Sequence, residues 1–189
     1  MRIISGKFKG FSLHVTMNRN TRPLKDRVRE SIFNLLAHSN KILTNIEKSN
    51  ILDLYSGTGS FGLECLSRDA KKVYFIENDK SAQEILKKNI KKLKIENQTK
   101  IYFEDVFFSI KKNKNLYPKF DLIFCDPPYK HKNIQELIKL LFHNNLLKKQ
   151  GILILHRNKN EKENFPYYFQ VLEERIYGLS KIIFGKFLF

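Results

Sequence analysis

The chain has 189 residues, enough for one domain with a sizeable core and too few for two comfortable ones. Its 35 Lys and Arg against 19 Asp and Glu leave a formal charge of +16 and a pI near 9.8, the electrostatic footprint of a protein that meets a polyanion. No 18-residue apolar run is present to span a membrane, the first seven residues lack the apolar stretch of a signal peptide, and Cys65 and Cys125, each inside an apolar run, make neither a disulfide framework nor a zinc site. A cytoplasmic protein without a metal centre is the expectation.

Arg2 to Val15 alternates apolar with basic or small residues around Gly6 and Gly10, which predicts a β-hairpin, an N-terminal extension over residues 1–20. Arg2, Lys7, Lys9 and His14 make that extension basic. Asn18 to Pro23 reads as a loop, because Pro23 denies the residue before it a helical conformation. Over Lys25 to Leu36 the apolar residues fall at 28, 32, 35 and 36, one face of an amphipathic helix whose polar face carries Lys25, Arg27 and Arg29. From residue 50 to 189 strands and helices alternate as a Rossmann-like core. Strands are predicted over 51–55, 73–77, 100–104, 120–125 and 152–156, and helices over 60–68, 79–94 and 133–147. Such alternation means a parallel sheet covered on both faces, and the unbroken apolar run Leu122 to Cys125 fits a central strand. After Pro166 two β-rich stretches, 167–172 and 181–184, have no helix between them and predict an antiparallel hairpin that closes the sheet.

The stretch Asn50 to Gly62 organises the rest. A strand carrying one carboxylate, Asp53, breaks into Gly57-x-Gly59-x-x-Gly62 and runs into a helix start, the arrangement that cradles a nucleotide. In a dinucleotide site the glycines hold a pyrophosphate, which a carboxylate four residues upstream would repel. Asp53 would instead attract the α-ammonium of the methionine part of S-adenosylmethionine. Glu77, about 20 residues past the first glycine at a strand end, is placed to accept ribose hydroxyls. Asp105, at the end of the third strand, can accept from an adenine amine or serve as the N-cap of a following helix. Tyr55, Ser56, Asn78 and Val106, their neighbours in sequence, complete the expected cofactor-binding set.

Asp126-Pro127-Pro128-Tyr129 follows the fourth strand, and ligands of open α/β sheets bind beyond the carboxyl ends of the strands near the switch point. Loops one and four should therefore share a crevice. A conjugated exocyclic amine is a weak nucleophile because its lone pair is delocalised into the ring. Acceptors aimed at its N–H groups, here Asp126 and the Pro127 carbonyl, stabilise the charge that develops during attack on a sulfonium methyl. The prolines stiffen the loop, and Tyr129 offers a ring on which a base can stack.

Asp53 to Gly62 together with Asp126 to Tyr129 resembles the class I S-adenosylmethionine methyltransferases that modify exocyclic amines. Upstream, Arg2-Ile3-Ile4-Ser5-Gly6-Lys7-Phe8-Lys9-Gly10, Thr21-Arg22-Pro23 and Asp26-Arg27-Val28-Arg29-Glu30-Ser31-Ile32-Phe33-Asn34 resemble the bacterial RsmD family, which methylates the N2 amine of one guanine in small-subunit ribosomal RNA. The resemblance implies a seven-stranded sheet of order 3-2-1-4-5-7-6 in a single methyltransferase domain over 1–189, and a 16S ribosomal RNA substrate met in the small subunit or an assembly intermediate. A monomer is expected, and the basic residues Arg2, Lys7, Lys9, Arg22, Arg27 and Arg29 make up the expected RNA-binding surface. Two departures stand out: Asp69 replaces the glycine usual after the first core helix, and the end Gly185 to Phe189 is less typical. The alternatives are an amino-methyltransferase acting on another RNA or DNA base, and a nucleic-acid-binding assembly factor with a degenerate cofactor site.

Overall fold

Alternating short apolar strands and one-sided helices can bury both kinds of apolar face only by stacking helices on each side of a sheet. The computed structural model describes residues 1–16, 24–128 and 133–189. Strands β1 (Asn50–Leu54), β2 (Lys72–Ile76), β3 (Thr99–Tyr102), β4 (Phe120–Cys125), β5 (Leu147–Asn158), β6 (Phe169–Tyr177) and β7 (Ser180–Phe187) form one sheet of order β3-β2-β1-β4-β5-β7-β6. This is the order that the resemblance implies. Strands β1 to β5 pair in parallel, and β7 lies antiparallel between β5 and β6, so the terminal hairpin closes the sheet as the helix-free sequence after Pro166 predicts.

The period-two alternation of the strands divides the core. Helices α1 (Asp26–His38), α2 (Ser60–Ser67) and α3 (Lys80–Leu93) cover the face built from Ile51, Phe75, Leu122, Phe124, Ile152 and Ile154. Helices α4 (Val106–Asn113) and α5 (Ile134–His143) cover the other face, built from Leu52, Leu54, Ile123, Cys125, Leu153 and Leu155. Burial pushes both thiols, Cys65 and Cys125, far above the ordinary cysteine range, so they act as small core hydrophobes. No helix among the described residues is long and apolar enough to cross a membrane.

Several boundaries differ from the sequence expectation. Strand β5 begins five residues earlier than expected, because Leu147 and Gly151 are buried on either side of an exposed Lys148-Lys149-Gln150 stretch, with a register shift against β4. Helix α4, legible in the sequence only as a cap at Asp105, is real: the Asp105 carboxylate accepts the Phe108 N–H at 3.1 Å. Asp69 takes the left-handed conformation (φ 65) that ends α2, the tolerance expected of Asp where glycine is usual.

The N-terminal extension reverses on itself as predicted, but among the described residues with a single ladder bridge, Arg2 to Ser12, flanked by the bonds Ile3 N–H to Phe11 C=O (3.0 Å) and Leu13 N–H to Met1 C=O (2.8 Å).

Candidate active site

Parallel strands end together, and here the loops leaving them are stitched to one another. The Ser56 N–H donates to the last residue of β2, Ile76 (3.1 Å), Glu77 N–H to the last residue of β3, Tyr102 (3.2 Å), and Asp126 N–H to the last residue of β1, Leu54 (3.4 Å). The crevice expected between loops one and four thus has both loops at one edge. The β1 loop turns through positive φ at Tyr55 (56), Gly57 (55) and Gly59 (85). For a tyrosine that conformation is strained, a feature that concentrates at functional turns. The three glycines do different work. A Cβ on Gly59 would lie 2.4 Å from Leu86 and one on Gly62 2.4 Å from the Phe75 ring, so these two permit close packing. A Cβ on Gly57 would meet nothing within 4 Å: this glycine alone borders open space, where a ligand can approach the backbone.

Carboxylates converge on this edge, and at Asp53 the charges of Glu77 and Asp126 are felt directly. Asp53 is 1% exposed, and its Oδ2 accepts the Gly62 N–H at 3.0 Å, so the β1 carboxylate caps the first turn of α2, whose Gly59 cap has no side chain to do so. Burial pushes the Asp53 carboxyl well above the usual range; the Gly62 bond opposes this, and the charges of Asp126 and Glu77 add to it. Glu77 accepts Gly57 N–H (2.7 Å) with Oε2, and Asn78 N–H (2.9 Å) and Asp79 N–H (2.8 Å) with Oε1. It pins the glycine loop to the end of β2, a role that its sequence position did not disclose. Asn78 is exposed, as is Asp105, whose Oδ2 is not needed for the cap. Val106 is 2% exposed, so its side chain belongs to the core and only its backbone can meet a ligand. Ser56 is nearly buried, and the Tyr55 phenol, half-buried, is pushed well above its ordinary range by that burial.

Asp126 itself is partly exposed, Pro127 is buried and Pro128 exposed, while Tyr129 lies outside the described residues. The partner sequence reasoning missed is His156 on β5: its Nδ1 lies 2.8 Å from Asp126 Oδ1. The signal was available in the pattern, since a polar residue ending the apolar run Ile152 to Leu155 sits at the same edge as the residue ending β4.

Matching of the whole chain decides the family. The family model described as Conserved hypothetical protein 95 matches residues 1–186. Ribosomal RNA small subunit methyltransferase D of Haemophilus influenzae is 35% identical over 179 residues, 95% of this chain and 90% of that protein. The chain belongs to the RsmD family. The Escherichia coli K12 protein of the same name is 31% identical over 179 residues, 94% of this chain and 85% of the relative. The solved Escherichia coli protein yhhF superposes with a TM-score of 0.84 at 28% identity, covering 99% of this chain and 97% of that one. A chain solved in complex with SAH, 16% identical, shares the fold with a TM-score of 0.65 over 85% of this chain and 48% of its own.

In this RsmD-family member the N-terminal extension is docked onto α2 and α3 by buried polar groups. The Glu64 carboxylate, 0% exposed, accepts Ile4 N–H (2.7 Å) and Ser5 N–H (2.9 Å) and pairs with Arg68 Nε (3.0 Å). Ser67 bonds to Ser5, Lys7 and Phe8 backbone groups. Asn89 on α3, fully buried, grips both backbone groups of His14 and also donates to the Thr58 carbonyl at 3.1 Å. One side chain therefore touches the extension and the glycine loop together.

The expected RNA-facing set divides. Arg2, Lys7, Lys9 and Arg27 are exposed, and Lys7 lies 3.7 Å from Asp69. Arg22 lies outside the described residues. Arg29 does not belong to this set: it is 0% exposed, and its Nη2 donates to the Arg2 carbonyl (2.5 Å) and to Asp26 (3.0 Å). The buried stripe of α1 is Val28, Arg29, Ile32, Phe33 and Leu36, so Arg29 occupies the helix's inner face, where burial lowers its pKa against the pull of Asp26 and Glu64. A guanidinium enclosed this way ties α1 to the extension and cannot reach a phosphate.

Proposed function

We propose that this protein methylates the exocyclic N2 amine of a guanine in 16S ribosomal RNA, met in the small subunit or an assembly intermediate, with S-adenosylmethionine as the donor. The observation that carries the reading is Asp126, held at the end of β4 with one oxygen on His156, beside the end of β1 and the glycine turn. Family membership supplies the substrate class: the curated relatives bear the name Ribosomal RNA small subunit methyltransferase D.

The residues fit a cationic nucleoside donor. Gly57 leaves the loop open on its ligand side, and the repulsion among Asp53, Glu77 and Asp126 is relieved by a ligand with positive charge. Asp53, enclosed and already bonded to Gly62, attracts an ammonium by its field, whereas Glu77, with three of its roughly four acceptor positions filled, has room for one ribose hydroxyl. Asp105 would take the adenine amine with its uncommitted oxygen. Tyr55, Ser56 and Asn78 would line the same cradle, with the Val106 backbone. When bound, the donor supplies an electrophilic methyl carbon, to which the amine nitrogen bonds as the carbon–sulfur bond breaks and a thioether leaves.

The protein's own part is to position and to accept. Asp126 and the Pro127 carbonyl orient the amine by its N–H groups, favour the tetrahedral nitrogen and receive the developing charge, after which the nitrogen's surplus proton passes to Asp126 or water. Pro127 and Pro128 donate no N–H and fix the loop, and Tyr129 would stack on the base. Replacing Asp126 with Ala is expected to lower transfer by at least about 10²-fold, the scale of removing one transition-state hydrogen bond. Calorimetric titration should show donor binding within about threefold of the unsubstituted protein. Undiminished transfer by that variant would refute the reading.

A further inference from the structure

We infer that His156 is a positioning residue for Asp126, fixing one carboxylate oxygen so that the other meets the amine. This rests on the reading of Asp126 as the amine's acceptor. Parallel pairing of β4 with β5 aligns Phe124 with Ile154 and Cys125 with Leu155, and one step further along the same register brings Asp126 beside His156. Ile152 and Ile154 share a face of β5, so His156 continues that face, as Asp126 continues the face of Leu122 and Phe124. The geometry agrees: Nδ1 to Oδ1 is 2.8 Å, the histidine is 5% exposed, and the Asp126 side chain is 22% exposed. One member of the pair is set in the core and the other reaches the crevice.

A carboxylate oxygen accepts and cannot donate, so the bond requires the imidazole proton on Nδ1. The aspartate backbone is already fixed by its N–H to Leu54 and by the proline that follows. What remains is rotation about the side-chain bonds, which the imidazole stops. Among the described residues no other hydrogen bond reaches the Asp126 carboxylate, so Oδ2 is the oxygen left to the crevice. A 1 Å error in the acceptor's place costs a positioned reaction roughly 10²-fold. The histidine touches neither base nor donor; it acts through Asp126.

The test compares the unsubstituted protein, Asp126→Ala, His156→Leu, His156→Asn and His156→Gln, on isolated small subunits with labelled donor. Single-turnover rate and donor affinity are read for each. The leucine removes the donor group; the asparagine amide can place an N–H where Nδ1–H stood; the glutamine amide carries it one bond further out. The expected result is a fall of roughly 10²-fold in the His156→Leu rate with donor affinity changed less than about threefold. At least about tenfold of that loss should return in His156→Asn, and less in His156→Gln. A merely structural histidine would lower thermal stability and leave the rate of the folded fraction unchanged.

His156→Leu transferring at the unsubstituted rate overturns the inference, as does His156→Asn remaining as slow as the leucine variant. Should the leucine variant fail to bind donor, the pair of amides decides, and a glutamine faster than the asparagine overturns it. A dead Asp126→Ala beside a fully active His156→Leu discards this inference alone. An inactive unsubstituted protein, or an active Asp126→Ala, removes the proposed function and this inference with it.

Discussion

Asp53 is a side chain whose burial costs stability and which, in the proposed function, offsets that cost by attracting the donor's ammonium. It is enclosed, near two other carboxylates, and spends one oxygen on the α2 N-terminus. Its raised pKa means that the folded chain binds a proton more tightly than the unfolded chain does. The contribution to stability is therefore fully present below the ordinary carboxylate pKa and declines as pH rises through the raised value. Asp53→Asn keeps an oxygen for the Gly62 N–H and removes the charge. The unliganded variant should match or exceed the parent's melting temperature at neutral pH, and the difference should shrink toward acid pH. Its affinity for S-adenosylmethionine should fall by about tenfold, roughly 1.4 kcal/mol, on the scale of a charge-assisted interaction. In the parent, donor affinity should weaken as pH falls, because a protonated Asp53 no longer attracts an ammonium. Calorimetry across pH reads both, and a pH-independent affinity would remove Asp53 from the donor site.

The N-terminal extension is the element whose placement depends most on buried polar groups. Gly6, at φ +79, brings the chain so close to α2 that a Cβ there would lie 1.8 Å from the Ser67 carbonyl oxygen. Gly6→Ala should therefore detach the segment, costing on the order of 1–3 kcal/mol locally, and hydrogen exchange at the Ile4, Ser5, Lys7 and Phe8 amides should accelerate while the β1 and β4 amides stay protected. Unchanged protection would show that the docking does not depend on this close approach. The sequence made the hairpin legible through its alternation and glycines, but not its mooring, because Glu64, Ser67 and Asn89 lie some 60 to 75 residues away and look like ordinary helix residues. Helix α1 was legible in extent and misread in facing. Arg29 looked polar because arginine usually is, yet the 28, 29, 32, 33, 36 spacing sets it in the inward stripe, where a carbonyl and a carboxylate receive it. The glycine turn and the Asp126 loop were readable because short motifs encode them; the His156 pairing, although a polar residue ending an apolar run hinted at it, needed the parallel alignment of β4 with β5, which joins residues 30 apart.

Across the molecule, a +16 charge is exposed largely as lysine, and the exposed Arg2, Lys7, Lys9 and Arg27 lie on the docked extension and α1. Neutralising Lys7, Lys9 and Arg27 together should weaken RNA binding and flatten its salt dependence by roughly 0.7–0.9 for each phosphate left without its cation. Arg29→Gln, by contrast, should lower stability and leave the salt slope alone, because the side chain is enclosed. Equal slopes for the triple variant and the parent would return these residues to a solvated surface. The proposed arrangement, with a donor cradle after β1 and β2 and an amine acceptor after β4, predicts one chemical consequence that no binding experiment reports. Small subunits lacking the modification should be incubated with the protein and S-adenosylmethionine, and their 16S RNA digested to nucleosides for mass spectrometry. One new N2-methylguanine is expected, absent when Asp126→Ala replaces the parent; methylation of another base or atom, or none by the unsubstituted protein, would contradict the proposed chemistry.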